Sequence, residues 1–327
     1  MRKIAGAFKT TPIAALEAEL ALPPADLRLD RIQHAYATRL LTLPENHPVL
    51  ELCPDTFPKT LDNKRESGVP AKFTPWHETN AFKPKYESRL TRILSYNNTT
   101  IQPQSIIEEI DVTAGAPWDT TNKIDIQVHP GNKDIAAQQD RDQHFFTHAN
   151  ASHLCFYTNG SLLEGKTGAG IYASAADETI HESSYHLGTE AEVFDAEIYG
   201  IMKATNIATR STADGGFTDT WIFCDNQSAV RRMRDKCRLP GQEYILKTNR
   251  NAEILASRGI KTHIHWEPGH VNVKGNERAD ILAKEGTKEK RIPRGATSSI
   301  TYLRWKNKEH RMKTWNDRWP TMKRGHS

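Results

Sequence analysis

The chain has 327 residues, of which 26% are charged and 37% hydrophobic. That length is enough for one to three domains, and no stretch approaches the roughly 18 apolar residues of a membrane span. The four cysteines form no C-x-x-C pair, which argues against a zinc site or a disulfide framework. Because the first residues also lack a secretion signal, we expect an intracellular protein with reduced thiols and no membrane contact.

The net charge of +4 is unevenly distributed. Residues 287–327 contain 12 Lys and Arg against 3 Asp and Glu, a net charge of +9, so residues 1–286 carry −5. A basic tail on a mildly acidic body suggests a polyanionic partner, for which nucleic acid is the usual choice. A solvated tail without a partner is the alternative.

Residues 1–52 are predicted to be helical. Strong helix formers run from Pro12 to Leu20, and a second helix is predicted from Leu27 to Leu41. Residues 53–150 are polar and poorly patterned, with one short helix predicted near residues 87–96. We interpret this region as a partly ordered linker.

Residues 151–286 have a different character, with short apolar runs alternating with helical patterns. Strands are predicted at 154–158, 165–174, 178–187, 221–224 and 262–266, and helices at 189–209, 229–234, 242–258 and 276–284. This order predicts an α/β domain whose mixed five-stranded sheet combines three antiparallel and two parallel strands, with helices on both faces. In the basic tail, residues 287–327, a helix is predicted to begin at Ser298 and Ser299. Its partial apolar stripe could dock on the body, bind a partner or lie along nucleic acid.

Three carboxylates are candidates for one site. Asp225 ends a buried strand, and the carboxyl edge of a sheet is where open α/β folds hold their sites. Glu197 lies on the inward stripe of its helix, where a charge is costly unless it is paired or bound to a metal. Asp280 is expected near the first turn of the last helix. Each residue also has a simpler explanation. Asp225 could be a helix cap, Glu197 a member of a buried ion pair, and Asp280 a favourable contact with the helix dipole.

The segments around these residues carry a family resemblance. In order and spacing they resemble the ribonuclease H domain of fungal non-LTR (LINE-type) retrotransposon polyproteins, over about residues 151–286. The segments are Tyr157-Thr158-Asn159-Gly160-Ser161, Ala196-Glu197-Ile198-Tyr199-Gly200-Ile201, Ile222-Phe223-Cys224-Asp225-Asn226-Gln227 and Trp266-Glu267-Pro268-Gly269-His270 through Asp280. Residues 5–16 are similar to the segment that follows the polymerase core in those polyproteins. An aromatic-x-Asp-Asp motif is absent from the sequence, so the chain is not expected to polymerise DNA.

The resemblance implies a nuclease that hydrolyses RNA in RNA–DNA hybrids with two Mg²⁺ ions, for which Mn²⁺ can substitute. It implies that Asn159, Glu197, Asp225 and Asp280 are the metal-ligand positions, and that His270 assists proton transfer or product release. Contacts to nucleic acid would come from Gly160, Ser161, Asn226, Arg231 and Arg232. His263 and His265 are interpreted as structural. The terminal helices could contact other retrotransposon segments or proteins.

The sequence departs from the family pattern at Asn159, where the family has Asp. An amide oxygen can coordinate Mg²⁺ but carries no charge, so we expect activity to be low or absent. Drift in a dead element copy, deliberate inactivation and a retained binding role all remain open. Glu192 replaces a frequent Thr and would repel phosphate. The short connection 236–241 leaves no room for the basic handle of some relatives, although the arginines of the preceding helix or the tail could replace it.

Two alternatives to the enzyme remain open at this point. One is a catalytically inactive nucleic-acid-binding protein, and the other is a protein-interaction role based on the terminal helices.

Overall fold

A computed structural model describes residues 8–11, 13–20, 22–44, 47–48, 107–114, 123–128, 150–269 and 273–318. The chain divides into two compact units, residues 1–103 with 300–327 and residues 104–299. The helices are α1 (Ile13–Glu19), α2 (Ala25–Leu41), α3 (Val193–Ser211), α4 (Gln227–Arg232), α5 (Gln242–Ser257), α6 (Lys274–Gly286) and α7 (Ile300–Arg318). The strands are β1 (Ile124–Gln127), β2 (His153–Leu163), β3 (Lys166–Ala175), β4 (Glu178–Gly188), β5 (Asp219–Cys224) and β6 (Lys261–Trp266).

The strands of the larger unit form one mixed sheet in the order β1-β6-β5-β2-β3-β4. The β2–β3 and β3–β4 pairs are antiparallel, whereas β2–β5, β5–β6 and β6–β1 are parallel. Short connections join the antiparallel strands, and α4 and α5 form the helical crossover between the parallel strands β5 and β6. The predicted fold class, a ribonuclease H-like α/β sheet with three antiparallel strands, is confirmed.

The sheet has six strands rather than the predicted five. The additional strand, β1, lies in the segment interpreted as a linker. Its sequence Ile-Asp-Ile-Gln alternates apolar and polar residues over only four positions, which is too short for a periodicity signal. It becomes a strand because β6 offers a free parallel edge, and Ile124 is then buried against the main core.

The two faces of the sheet carry different helices. On one face, α3 and α5 cover the large apolar core, which includes Leu154, Phe156, Ile198, Ile201, Ile222, Ile245 and Ile264. On the other face, α6 packs over β2, β3 and β4 around Tyr157, Tyr172, Phe223 and Leu282. Helices therefore cover both faces. Cys155 and Cys224 are free and buried.

Helix α6 lies unusually close to β3 because of a glycine. A Cβ atom on Gly170 would lie 2.1 Å from the carbonyl oxygen of Ala279 and 2.3 Å from the backbone nitrogen of Ala283. Those distances are far below van der Waals contact, so only glycine allows this approach. The packing fixes the position of α6 and of its side chains relative to the sheet.

The smaller unit contains α1, α2 and α7. Asp26 at the start of α2 pairs with Arg318 at the end of α7, with 2.5 Å between the carboxylate and guanidinium atoms. The rings of His34 and His310 meet edge to face 6.5 Å apart. Of the apolar stripe predicted in the tail, Leu303 is buried in α7, whereas Met312 is exposed. None of the helices in the described ranges is long and apolar enough to cross a membrane.

Candidate active site

Asn159 and Asp225 lie side by side at the edge where β5 ends. The register pairs Thr158 with Cys224, so the next residue of each strand reaches the same place. The side-chain amide of Asn159 donates to Oδ2 of Asp225 over 3.2 Å, and Asn159 is only 7% exposed. The backbone carbonyl of Asp225 also accepts a 2.9 Å hydrogen bond from the indole of Trp266.

Glu197 approaches the same edge from α3. A Cβ atom on Gly160 would lie 2.9 Å from the carbonyl oxygen of Val193 and 3.2 Å from Cδ of Glu197, so glycine is needed for this close contact. Glu197 is 3% exposed. Burial and, after it, the charge of Asp225 raise the pKa of its carboxyl to about 8, against the hydrogen bond from the Gly160 backbone. The Cys224 thiol donates to Oε2 of Glu197 at 3.5 Å.

Asp280 approaches from α6. This helix begins at Lys274, earlier than predicted, so Asp280 occupies the second turn and is farther from the positive end of the helix dipole than expected. Its carboxylate pairs with Lys284 one turn later, at 2.6 Å. The charge of Asp280 contributes to the raised pKa of Glu197, as expected if the two carboxylates face a shared space.

We call Asn159, Glu197, Asp225 and Asp280 the oxygen cluster. Its donors are one amide and three carboxyl groups, the chemistry that Mg²⁺ prefers. Two of the carboxylates raise the pKa of the third, and a bound cation would relieve that repulsion. The donor set therefore fits a hard divalent cation, with one negative charge fewer than four carboxylates would supply.

The structure assigns local roles to several of the residues predicted to contact nucleic acid. The side-chain oxygen of Asn226 caps α4 by accepting from the backbone of Ser228 and Ala229, at 3.1 Å each. Arg232 donates to the carbonyl oxygens of Asp235, Cys237 and Leu239. Both residues are thus engaged in folding the 226–239 segment.

The remaining predicted contacts differ in their surroundings. Arg231 is exposed, and Ser161 is half-buried beside Gly160. Arg234, which belongs to the same basic run, donates to the carbonyl oxygen of Ile126 in β1 at 3.0 Å. Glu192 stands at the N-terminus of α3, where its backbone N–H donates to Asp195 at 2.8 Å. His270 lies outside the described residues.

Sequence reasoning missed three residues that shape the oxygen cluster. Cys224 donates to Glu197, Lys284 pairs with Asp280, and a Cβ atom on Gly269 would lie 2.7 Å from Oδ2 of Asp225. The four-residue spacing of Asp280 and Lys284 on one helix was the available signal for that pair. The contacts of Cys224 and Gly269 arise only from the fold.

No family model and no curated protein matches the chain. Among solved structures, ribonuclease H1 from Halobacterium salinarum NRC-1 is 22% identical, with a TM-score of 0.32 over 42% of this chain and 98% of that one. LC11-RNase H1, solved in complex with an RNA/DNA hybrid, is 23% identical, with a TM-score of 0.34 over 41% and 96%. The protease-reverse transcriptase of prototype foamy virus is 23% identical, with a TM-score of 0.33 over 42% and 21%.

At these identities and TM-scores the likeness carries no argument about activity or origin. The fold class rests on the strand order and the pairing directions of the sheet itself. By those features, the larger unit has a ribonuclease H-like α/β fold.

Proposed function

We propose that the oxygen cluster is the site of a metal-dependent endonuclease that hydrolyses the RNA strand of RNA–DNA hybrids, and that Asn159 limits its activity. The observation that carries the proposal is the convergence of Glu197 and Asp225 with Asn159 at one sheet edge. A buried carboxyl with a raised pKa in such a cluster is typical of a functional site. The sequence motifs supply the reaction class.

Bound Mg²⁺ would activate a water molecule and stabilise the leaving oxygen. The chain's own contribution is to hold the ligands rigidly. The close approach at Gly160 presses α3 against β2 and fixes Glu197, while the Trp266 indole anchors the backbone of Asp225. Glycine at position 170 seats α6 and thereby places Asp280.

Asn159 weakens this site in two ways. It lacks the negative charge that a carboxylate would supply, and its amide N–H occupies an oxygen of Asp225 that would otherwise be available to a cation. Because a carboxylate only accepts hydrogen bonds, Asp at this position could not make the same bond to an ionised Asp225. The amide therefore stabilises the metal-free form of the cluster.

The second candidate is a nucleic-acid-binding protein without catalysis, and the same hydrogen bond from Asn159 favours it. Under this alternative, the fold retains a nucleic-acid-binding surface, whereas the oxygen cluster no longer binds the metal ions that catalysis needs. An origin in a LINE-type retrotransposon and a role for residues 287–327 in binding the hybrid belong to the proposal as well. They rest on the sequence resemblance and on the +9 charge of that segment.

A hybrid-cleavage assay with Mg²⁺ and with Mn²⁺ tests the proposal on the native chain, on Asn159→Asp and on Asn159→Asp combined with Asp225→Asn. We expect Asn159→Asp to raise the cleavage rate by about 10²-fold or more, and the added Asp225→Asn to abolish the gain. Cleavage absent from every variant, together with salt-sensitive hybrid binding, would support the binding protein. Absence of both cleavage and hybrid binding would favour the interaction role.

A further inference from the structure

A second group of metal-binding side chains lies on the same sheet, away from the oxygen cluster. His263 and His265 are two residues apart on β6, so both side chains project from the same face. The register places Asp125 of β1 directly opposite His263. The ligand atoms of these three residues all lie within 4.8 Å of one another. We call Asp125, His263 and His265 the histidine cluster.

The distances from Asp125 to the two histidines match those between ligands around a tetrahedral metal ion. Oδ2 of Asp125 is 3.1 Å from Nδ1 of His263 and 3.4 Å from Nε2 of His265. Ligands at the usual Zn–N and Zn–O distances of about 2.0–2.1 Å are separated by about 3.3 Å in a tetrahedral shell. An ion could therefore enter with little movement of these side chains.

The hydrogen-bond chemistry of His263 also favours a cation. Its Nδ1 faces Asp125 at 3.1 Å, while its Nε2 faces Asp219 at 2.9 Å. A neutral imidazole has one N–H, so one ring nitrogen would direct its lone pair at a carboxylate. A metal ion on Nδ1 removes that conflict, as a second ring proton would, and leaves the Nε2 proton for Asp219, the usual carboxylate–histidine–metal arrangement.

Burial and access are suited to a bound ion. The side chains of His263 and His265 are 14% and 5% exposed, whereas Asp125 is 46% exposed. A solvent-open pocket of about 500 Å³, lined in part by Lys123, Asp125 and His263, provides a route to the site. The imidazoles are thus held in place while one side of the cluster remains reachable.

We propose that Asp125, His263 and His265 bind one divalent transition-metal ion of the Zn²⁺ class, with Asp219 orienting His263 and a water molecule completing the coordination. Two imidazoles and one carboxylate suit Zn²⁺ better than Mg²⁺. The ion joins β1 to β6, and thereby adds to the backbone pairing, the burial of Ile124 and the Arg234–Ile126 hydrogen bond that hold this four-residue edge strand.

The test uses the full chain, stripped with a chelator and then titrated with Zn²⁺ or Co²⁺ in excess Mg²⁺, which saturates hard oxygen sites. We expect one ion per chain, a visible Co²⁺ spectrum of tetrahedral type and a rise in the unfolding temperature with Zn²⁺. Asp125→Asn, a change at a half-exposed position, should lower the affinity about 10–100-fold, and Asp219→Asn should do so to a similar or smaller degree.

Trp221 provides a local readout that loss of folding would not imitate. Its ring stacks on His263 with 3.9 Å between centroids, so bound Co²⁺ should quench its fluorescence. Trp221→Phe should remove that part of the quenching without changing the stoichiometry.

His181→Gln is the matched control, because His181 is a half-buried strand histidine whose ring hydrogen-bonds to the Ser183 hydroxyl at 3.0 Å. It should bind Zn²⁺ as the native chain does. Asp225→Asn should also leave Zn²⁺ binding unchanged, since it alters only the oxygen cluster. Either of two results would overturn the proposal: no saturable Zn²⁺ or Co²⁺ binding by the native chain, or an affinity that Asp125→Asn leaves unchanged.

Discussion

The oxygen cluster and the histidine cluster occupy the same sheet but differ in how they are built. The oxygen cluster gathers side chains from the middle of β2, the end of β5 and two helices, and its members are mostly carboxyl groups. The histidine cluster uses two adjacent parallel strands and two imidazoles. Hard oxygen donors favour Mg²⁺, while imidazoles favour Zn²⁺. The contrast teaches that donor type, rather than proximity alone, decides which ion each region can hold.

The largest expected effect comes from separating α6 from the sheet. In Gly170→Val the new side chain would collide with the backbone of Ala279 and Ala283, and we expect a loss of about 3 kcal/mol in the free energy of unfolding. Since Asp280 is on α6 whereas the histidine cluster is on β1 and β6, the folded fraction should lose Mg²⁺ affinity and keep Zn²⁺ affinity. Urea unfolding and metal titration measure the two effects.

Glu178→Val is the control for Gly170→Val, because it adds a β-branched residue at the exposed start of β4. It should leave stability nearly unchanged. Equal losses of Mg²⁺ and Zn²⁺ affinity in the folded Gly170→Val chain would contradict the independence of the two clusters.

The next effect is a pH dependence that Glu197 imposes on the metal-free chain. Its pKa rises from 4.5 to about 8 in the folded state, so its contribution to stability is complete below pH 4.5 and is lost as the pH rises through 8. At about 1.4 kcal/mol per pH unit, the loss amounts to about 3–5 kcal/mol over that window. Glu197→Gln should remove this slope, measured by chemical unfolding in chelator at several pH values.

Glu178→Gln, at an exposed position of β4, should retain the native slope. A Glu197→Gln chain with the same pH dependence as the native chain would show that Glu197 ionises without cost in the folded state.

The smallest effect concerns the ion pair that competes for Asp280. Lys284 is 56% exposed, so its bond to Asp280 is screened by water and contributes at most about 1 kcal/mol. Lys284→Met should strengthen Mg²⁺ binding by about 2–5-fold and leave Zn²⁺ binding unchanged, as followed by calorimetry. As a control, Lys288→Met changes an exposed lysine just beyond α6 and should alter neither the Mg²⁺ nor the Zn²⁺ affinity. A weaker Mg²⁺ affinity in Lys284→Met would contradict the competition between Lys284 and the ion for Asp280.

Much of the fold and of the oxygen cluster could be predicted from the sequence. The apolar runs placed five strands, and the motifs anticipated that Asn159, Glu197 and Asp225 would meet, although their roles stay predictions. Strand β1 was not predicted because four alternating residues carry too little periodicity signal. Without β1, the histidine cluster could not be predicted either. The hydrogen bonds of Arg232 and Asn226 to nearby backbone could not be predicted from the sequence, and the contacts of these residues with nucleic acid stay predictions.

The central claim is that a missing negative charge at residue 159 limits the oxygen cluster. Calorimetric titration of Mg²⁺ into the native chain and into Asn159→Asp tests this claim most directly. Peptide mass spectrometry verifies that Asn159 of the native chain has not deamidated to Asp. We predict that Asn159→Asp binds Mg²⁺ at least about 10-fold more tightly, with Zn²⁺ binding unchanged. Equal Mg²⁺ affinity in the two chains would contradict the account.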